Sequence, residues 1–287
     1  MPRIAANNLS FHYQQAGAGP DVVLIHGLTG DLSIWFLCQA MGVIGRAHRA
    51  TAYDLRGHGY SDTPPSNYTS ADQAADALAI MDALGIERAT LVGHSFGGVV
   101  AMHAALIAPE RVTALVLSDP SFAALRHLED LNRWGHWETF RQEAADAGVE
   151  LSGEHWYDLT RFFGQVNHLD GERLLRFRQA VGLPGFNRLI KLARTTCGDD
   201  AKAESGLTAE RIGEIEQPVL ALFGEFSPFL ATADYLTEHL PRCVQRRVPG
   251  AKHRAPEENA AAFVALVDDF LMEQRAGRVL ASVRGTE

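Results

Sequence analysis

At 287 residues the chain exceeds one small domain yet is too short for two large ones, and 46% apolar against 21% charged residues excludes a disordered chain. The formal charge is −9 with no dense Lys/Arg run, so a phosphate backbone is repelled and nucleic acid is excluded as a partner. Three scattered cysteines (Cys38, Cys197 and Cys243) form no CxxC pair, which excludes a zinc knuckle or a disulfide framework and suits a reducing compartment.

The opening residues lack the apolar core of a signal peptide, and no apolar run reaches about 18 residues. A cytoplasmic protein with no membrane partner is therefore expected. Short β-rich runs then alternate with helical stretches, the order of an α/β fold with a mostly parallel sheet flanked by helices. Strands are predicted at 8–14, 21–26, 49–54, 89–93, 114–119, 218–224 and 244–249. Several are continuous apolar runs (VVLI, ATLV, ALVL, VLALF), the pattern of strands buried on both faces. A helix is predicted over 69–84 with Gly85 as its C-cap. The last helix, 258–273, carries Phe263, Leu266, Val267 and Phe270 on one stripe.

After the strand at 114–119 the pattern changes. Residues 121–216 hold Trp134, Trp137 and Trp156, many charges and no buried-strand pattern, with short helices predicted at 171–181 and 186–194. This block reads as a helical cap or lid, 121–216, inserted into a core domain formed by 1–120 and 217–287. The tail from about 275 is small and polar and is expected to fray.

The sharpest local signal is Gly93-His94-Ser95-Phe96-Gly97-Gly98, which follows the strand ATLV and precedes the helical run VVAMHAALIA. Glycines on both sides of Ser95 let the backbone close a strained strand-to-helix turn, presenting the serine at the carboxyl end of the sheet. There the helix dipole and the free N–H groups of the first turn favour developing negative charge. A glycine-rich turn that merely contains serine is common, so the flanking strand and helix carry the argument.

The segments DVVLIHGLTG, AYDLRGHGYSDTP, LVGHSFGGVVAMHAALIAPERV, ALVLSDP and VPGAKH together resemble the α/β-hydrolase superfamily in order and separation. The likeness covers nearly everything outside the cap. It implies an α/β-hydrolase fold and a serine hydrolase that needs no cofactor and no metal. It also implies a triad in the order Ser, acid, His, with Ser95 as nucleophile and His253 as base. In resembling enzymes the residue after the HG of the early strand gives one oxyanion N–H, here Leu28. Phe96, next to the nucleophile, gives the second, while His26 supports the loop. The run from Asp54 to Asp62 is also typical of the family and is expected to shape the loop under the site rather than to react.

One position departs from the pattern. Many relatives carry the acid in a form such as GxxDP after the later strand, where this chain reads Gly224-Glu225-Phe226-Ser227-Pro228. Serine cannot hold an imidazolium by charge. Asp119 closes the strand ALVLS at the same end of the sheet, and some α/β-hydrolases place their acid there, among them ring-opening hydrolases, cofactor-independent dioxygenases and some dehalogenases. Aspartate also stands there in relatives that use the later acid. Glu225 therefore stays open as the alternative, although its side chain has to turn back from two residues early. Substitution of Ser227 is expected to matter little.

The expected partner is a small apolar or aromatic molecule, bound by a monomer or homodimer. Trp134, Trp137, Phe140, Trp156, Phe162 and Phe163 are candidates to line its pocket or to glue the cap to the sheet. Arg126, Arg133, Arg161, Arg173, Arg176 and Arg178 are candidates for a substrate carboxylate or for a solvated helical face. The function read from these residues is hydrolysis of a carboxylic ester, lactone or similar carbonyl through an acyl-enzyme. Its alternatives are a C–C bond hydrolase or cofactor-independent dioxygenase acting on an aromatic or heteroaromatic substrate, and a non-catalytic binding protein. Haloalkane dehalogenase and epoxide hydrolase chemistry is excluded because those enzymes attack with an aspartate, whereas position 95 is serine. No His, Asp or Glu cluster has metal-ligand spacing.

Overall fold

The computed structural model describes residues 1–154 and 158–277. Its eight strands are β1 (Arg3–Ala6), β2 (Leu9–Ala16), β3 (Asp21–Ile25), β4 (Arg49–Tyr53), β5 (Ala89–His94), β6 (Val112–Ser118), β7 (Val219–Gly224) and β8 (Cys243–Val248). They form one sheet in the order β1-β2-β4-β3-β5-β6-β7-β8. The two pairings of β2, with β1 and with β4, are antiparallel, and every later one is parallel. All seven predicted strands are present with ends moved by one or two residues. The addition is β1, an edge strand of four residues that has no buried run to betray it. Asn7 and Asn8 join it to β2 with φ of 47° and 60°, the left-handed pair that a tight hairpin turn requires. That is why β2 begins after Asn8 and not at it.

The parallel strands are buried on both faces, and alternate residues feed two separate cores. In β3, Val23 and Ile25 join the side containing Ala77, Ile80 and Met81, while Val22 and Leu24 join the side containing Met41, Ile44 and Phe263. The helix Ser70–Ala83 starts with a capping box, in which the Thr69 hydroxyl and the Asp72 carboxylate each accept the other's backbone N–H. Gly85 beyond its end has a φ of 66°. The final helix, Ala260–Arg275, begins two residues later than predicted because Asn259 caps it, its side chain accepting the Ala262 N–H. Phe263, Val267 and Phe270 of the predicted stripe are buried, and Leu266 packs beside them.

Between β6 and β7 no strand occurs among the described residues, and helices Trp137–Asp146, Leu159–Asn167 and Gly171–Leu192 dominate. The last two share a small core of Phe163, Val166, Phe177, Leu189 and Leu192 with Val149, while Trp137 of the first packs into the main core. The two helices predicted at 171–181 and 186–194 form one span broken at Gly182, where φ is 69°. Pro184 follows directly, and it disfavours helical backbone just ahead of it. No described helix is long and apolar enough to cross a membrane. Trp156 and the tail beyond 277 lie outside the described residues.

Candidate active site

Loops at the carboxyl ends of β3, β5, β6, β7 and β8 meet over one edge of the sheet, the usual place for a site in a parallel α/β architecture. Ser95 sits between β5 and the helix Phe96–Ile107 with φ 53° and ψ −123°, a backbone conformation that costs about 1–3 kcal/mol for a residue with a side chain. Its own N–H donates to the Ser118 carbonyl at 2.7 Å, which ties the turn to β6. The turn closes only because two glycines leave it room. A Cβ on Gly93 would lie 2.2 Å from the Gly97 carbonyl oxygen, and one on Gly97 would lie 2.1 Å from that of Ile25.

His253, in the loop after β8, brings Nε2 to 3.1 Å from Ser95 Oγ. Phe229 stands edge-on to its ring at a centroid distance of 5.0 Å. The buried His94, next to the serine, donates from Nε2 to the His253 carbonyl at 3.0 Å. Burial first, and then the charge of His253, push His94 down to about 3, so it is a neutral clamp on the histidine loop. Nothing in the spacing of the sequence had marked it.

Asp119 follows β6 with a left-handed φ of 49° and is fully buried. Its Oδ2 accepts the Gly224 N–H at 2.7 Å, and its Oδ1 accepts the hydroxyl of Ser227. The same Oδ1 is 3.9 Å from His253 Nδ1, beyond hydrogen-bond length but on the side of the ring opposite Ser95. That Nδ1 is buried and has no hydrogen-bond partner among the described residues. Burial raises the Asp119 carboxyl above its ordinary value, and His253, Ser227 and Gly224 oppose the rise. Glu225 is exposed and accepts the Gly250 N–H at 2.8 Å, so it braces the loop ahead of His253.

Ser227, whose substitution the sequence reading expects to matter little, is hydrogen-bonded into the site. At the position where relatives carry a carboxylate, its hydroxyl donates to the carboxylate on the neighbouring strand and accepts the Phe229 N–H at 3.0 Å. Ser227→Ala is expected to lower kcat about tenfold with little change in KM, the worth of one hydrogen bond to a charged group. Steady-state kinetics of the variant check this, and an unchanged kcat would return Ser227 to the role of bystander.

Leu28 and Phe96 flank Ser95, and among the described residues neither backbone N–H donates within the chain. For Phe96 the reason is general, since the first N–H groups of a helix have no intrahelical acceptor. Two neutral histidines brace the Leu28 loop. His26 donates from Nδ1 to the Gly27 carbonyl at 2.7 Å and accepts the Leu55 N–H at 3.0 Å. His58 donates to the Arg56 carbonyl at 2.8 Å and accepts the Thr29 N–H at 3.0 Å. Burial drives both downward, His58 to about 3. Asp54 binds His12 and the N–H groups of Leu32 and Tyr60, so this run holds the loop and does not enter the site.

Two cavities open beside Ser95. One, of about 550 Å³, runs past His253 to Val181, Arg188 and Leu189. The other, of about 210 Å³, lies against Leu28, Phe96, Ser121, Arg126 and Leu159. Trp134 and Trp137, expected to face substrate, line neither. The Trp134 indole N–H donates to the Phe226 carbonyl at 2.9 Å, and Trp137 is buried against Phe140. The half-buried Trp134 indole thus spends its N–H on a backbone carbonyl of the loop after β7. Phe163 is buried in the helical core, and Phe162 faces a different cavity. Of the six arginines considered, only Arg126 lines a cavity at Ser95 among the described residues; Arg188, which was not among them, lines the larger one and pairs with Asp31 at 2.5 Å.

Glu129 joins the segment after β6 to the helix Leu230–His239, accepting hydroxyls from Thr232 at 2.6 Å and Ser121 at 3.0 Å. Loss of hydration on packing pushes its carboxyl up from 4.5 to about 7. The folded state therefore holds this proton longer than the unfolded chain does. Stability falls as pH rises from about 4.5 to about 7, and the penalty is complete above that. Glu129→Gln is expected to raise Tm at pH 8.5 more than at pH 5.5. Equal shifts in scanning calorimetry at the two pH values would contradict this.

The family model of the alpha/beta hydrolase fold matches residues 20–260, well over half of the chain. The chain is 29% identical over 287 residues to the 2-hydroxymuconate semialdehyde hydrolase of Pseudomonas sp. (strain CF600), covering 96% of this chain and 95% of the relative. It is 29% identical over 280 residues to the pimeloyl-[acyl-carrier protein] methyl ester esterase of Photobacterium profundum, covering 90% and 97%. Among solved structures, a meta-cleavage product hydrolase from Pseudomonas fluorescens IP01 superposes with a TM-score of 0.68 at 25% identity, covering 96% of this chain and 98% of that one.

Proposed function

The chain belongs to the α/β-hydrolase family, and from that premise we propose that it hydrolyses a carboxylic ester, lactone or similar carbonyl through an acyl-enzyme on Ser95. The observation that carries this reading is the 3.1 Å approach of His253 Nε2 to Ser95 Oγ. His253 takes the serine proton as Oγ attacks the carbonyl carbon, and the imidazolium that forms faces the buried Asp119 carboxylate. The ion pair across 3.9 Å shortens as the ring becomes charged. The N–H groups of Leu28 and Phe96 receive the tetrahedral oxygen, at about 3 kcal/mol of transition-state stabilisation each. Collapse breaks the bond to the leaving group, which departs with the proton from His253. Water, deprotonated by the same histidine, then releases the acid.

In this reading residues 121–216 act as a cap, because Arg126 and Leu159 on one side and Val181 and Leu189 on the other face the two cavities. A second reading is C–C bond hydrolysis, favoured by likeness over nearly the full length to the semialdehyde hydrolase. A screen of p-nitrophenyl esters, lactones and ring-cleavage diketones, run beside fluorophosphonate labelling, tests both. Labelling of Ser95 with ester or lactone turnover supports the first reading, and turnover confined to the diketones supports the second. Oxygen uptake without hydrolysis would overturn both.

A further inference from the structure

One ion pair stands between the larger cavity at Ser95 and the protein surface. That cavity, of about 550 Å³, is bounded on the cap side by Gly185, Arg188 and Leu189. A second hollow, a groove of about 720 Å³, lies against Phe36, Tyr60, Pro184, Asn187 and Lys191. It opens at the surface, where Phe36 and Tyr60 are 47% and 59% exposed. The residues common to both linings are Asp31, Ser33 and Arg188, and they form the partition between the two spaces.

Helical spacing puts Arg188 in that partition. Gly185, Arg188 and Leu189 recur at three and four positions and share one face of the helix beyond the break at Gly182. Pro184, Asn187 and Lys191 share the adjoining face, and Arg188 lies on the line between the two. Its Nη1 donates to Asp31 Oδ2 at 2.5 Å, while Asp31 Oδ1 accepts the Ser33 N–H at 2.9 Å and the Ser33 hydroxyl. Burial alone would raise the Asp31 carboxyl, yet the Ser33 hydrogen bonds and then the Arg188 charge hold it below its ordinary value, so the pair is ionised at neutral pH. The walls on either side are apolar, with Ile34, Leu37, Val181 and Leu189 within and Phe36, Tyr60 and Pro184 outside. A growing apolar chain therefore meets one charged obstacle, and parting it for a methylene leaves two half-buried charges without partners. We propose that the Arg188–Asp31 pair is a length stop, which ends the substrate arm lying in the larger cavity and keeps the outer groove out of its reach. The stop acts on whichever end of the substrate, acyl or leaving group, occupies that cavity. The proposal rests on the acyl-enzyme reading given above.

The test uses two ester series followed by acid release in a pH-stat. p-Nitrophenyl butyrate and octanoate vary the acyl arm, and butyl and octyl acetate vary the other. Wild type is expected to lose kcat/KM from butyl to octyl in one of the two series. In that series Arg188→Ala is expected to raise the octyl-to-butyl ratio at least about tenfold, since each methylene newly buried in the groove contributes about fourfold. Arg188→Lys, which keeps a cation opposite Asp31, is expected to hold the ratio near that of wild type. Asn187→Trp added to Arg188→Ala is expected to remove the gain, because position 187 lines the groove and not the cavity. Each ratio is taken within one variant and so does not depend on the fraction folded. Labelling rates of Ser95 by butyl and octyl fluorophosphonates give the same ratio without turnover. A ratio unmoved by Arg188→Ala in both series, or a gain that survives Asn187→Trp, would overturn the length stop while leaving the hydrolase reading standing. Failure of Ser95 to label at all, with no ester cleaved, would overturn both.

Discussion

Ser95→Ala is expected to lower kcat for any ester substrate by about 10⁶-fold while substrate still binds. The substitution removes one oxygen and leaves His253, the Leu28 and Phe96 amides and both cavities in place. Without the hydroxyl no acyl-enzyme can form, so the residual rate is that of water attacking a carbonyl held in the oxyanion site, a loss on the order of 10⁶ where it has been measured in triad enzymes. Folding is expected to survive. The strain at φ 53° belongs to the backbone, and alanine bears it as serine does. Pre-steady-state kinetics and intact mass after fluorophosphonate treatment check the result, with loss of both burst and adduct expected. Retained turnover would mean that His253 acts directly on water or on the substrate, and the acyl-enzyme mechanism would fall.

Asp119→Asn is expected to lower kcat by about 10⁴-fold while Glu225→Gln stays within about twofold of wild type. The Asp119 carboxylate is the negative charge buried behind the imidazole, whereas the Glu225 carboxylate is exposed and spent on the Gly250 N–H. An amide of the same shape keeps the packing but cannot stabilise the imidazolium, and in the serine triad this loss is about 10⁴. Thermal stability is expected not to fall with activity. Burial disfavours the Asp119 charge in the folded state, so neutralising it relieves one cost as it removes hydrogen-bond strength. Paired melting curves and kcat values for the two variants distinguish a catalytic defect from an unfolded protein. Full activity in Asp119→Asn beside loss in Glu225→Gln would reverse the assignment.

Much of the site was legible in the chain because its parts are local. A serine between glycines, placed after a buried strand and before a helix, specifies its own strained turn. The two oxyanion amides, of Leu28 and Phe96, were read instead from the resemblance to the family. The helical block between β6 and β7 was less legible. Trp134 and Trp137 have the composition of a pocket, yet indole rings serve equally well as packing, and only the position of the Phe226 carbonyl decides which use is made of Trp134. The partner of Ser227 was illegible for a related reason. Read along the chain it is a missing carboxylate, and read across the sheet it is a donor to the carboxylate one strand away.

The sequence by itself marked the strands in order along the chain and the sharp turn at Ser95, since each depends on neighbours within a few positions, while the roles expected of His253, Leu28 and Phe96 came from the resemblance to the family. Only the tertiary structure decided that Asp119 and not Glu225 lies behind His253, that His94 clamps its loop, and that Arg126 alone among the six candidate arginines reaches a cavity at the serine among the described residues. Those facts depend on the register between parallel strands and on helices packing over their ends, where residues more than a hundred positions apart meet. Short-range propensity carries no information about such meetings.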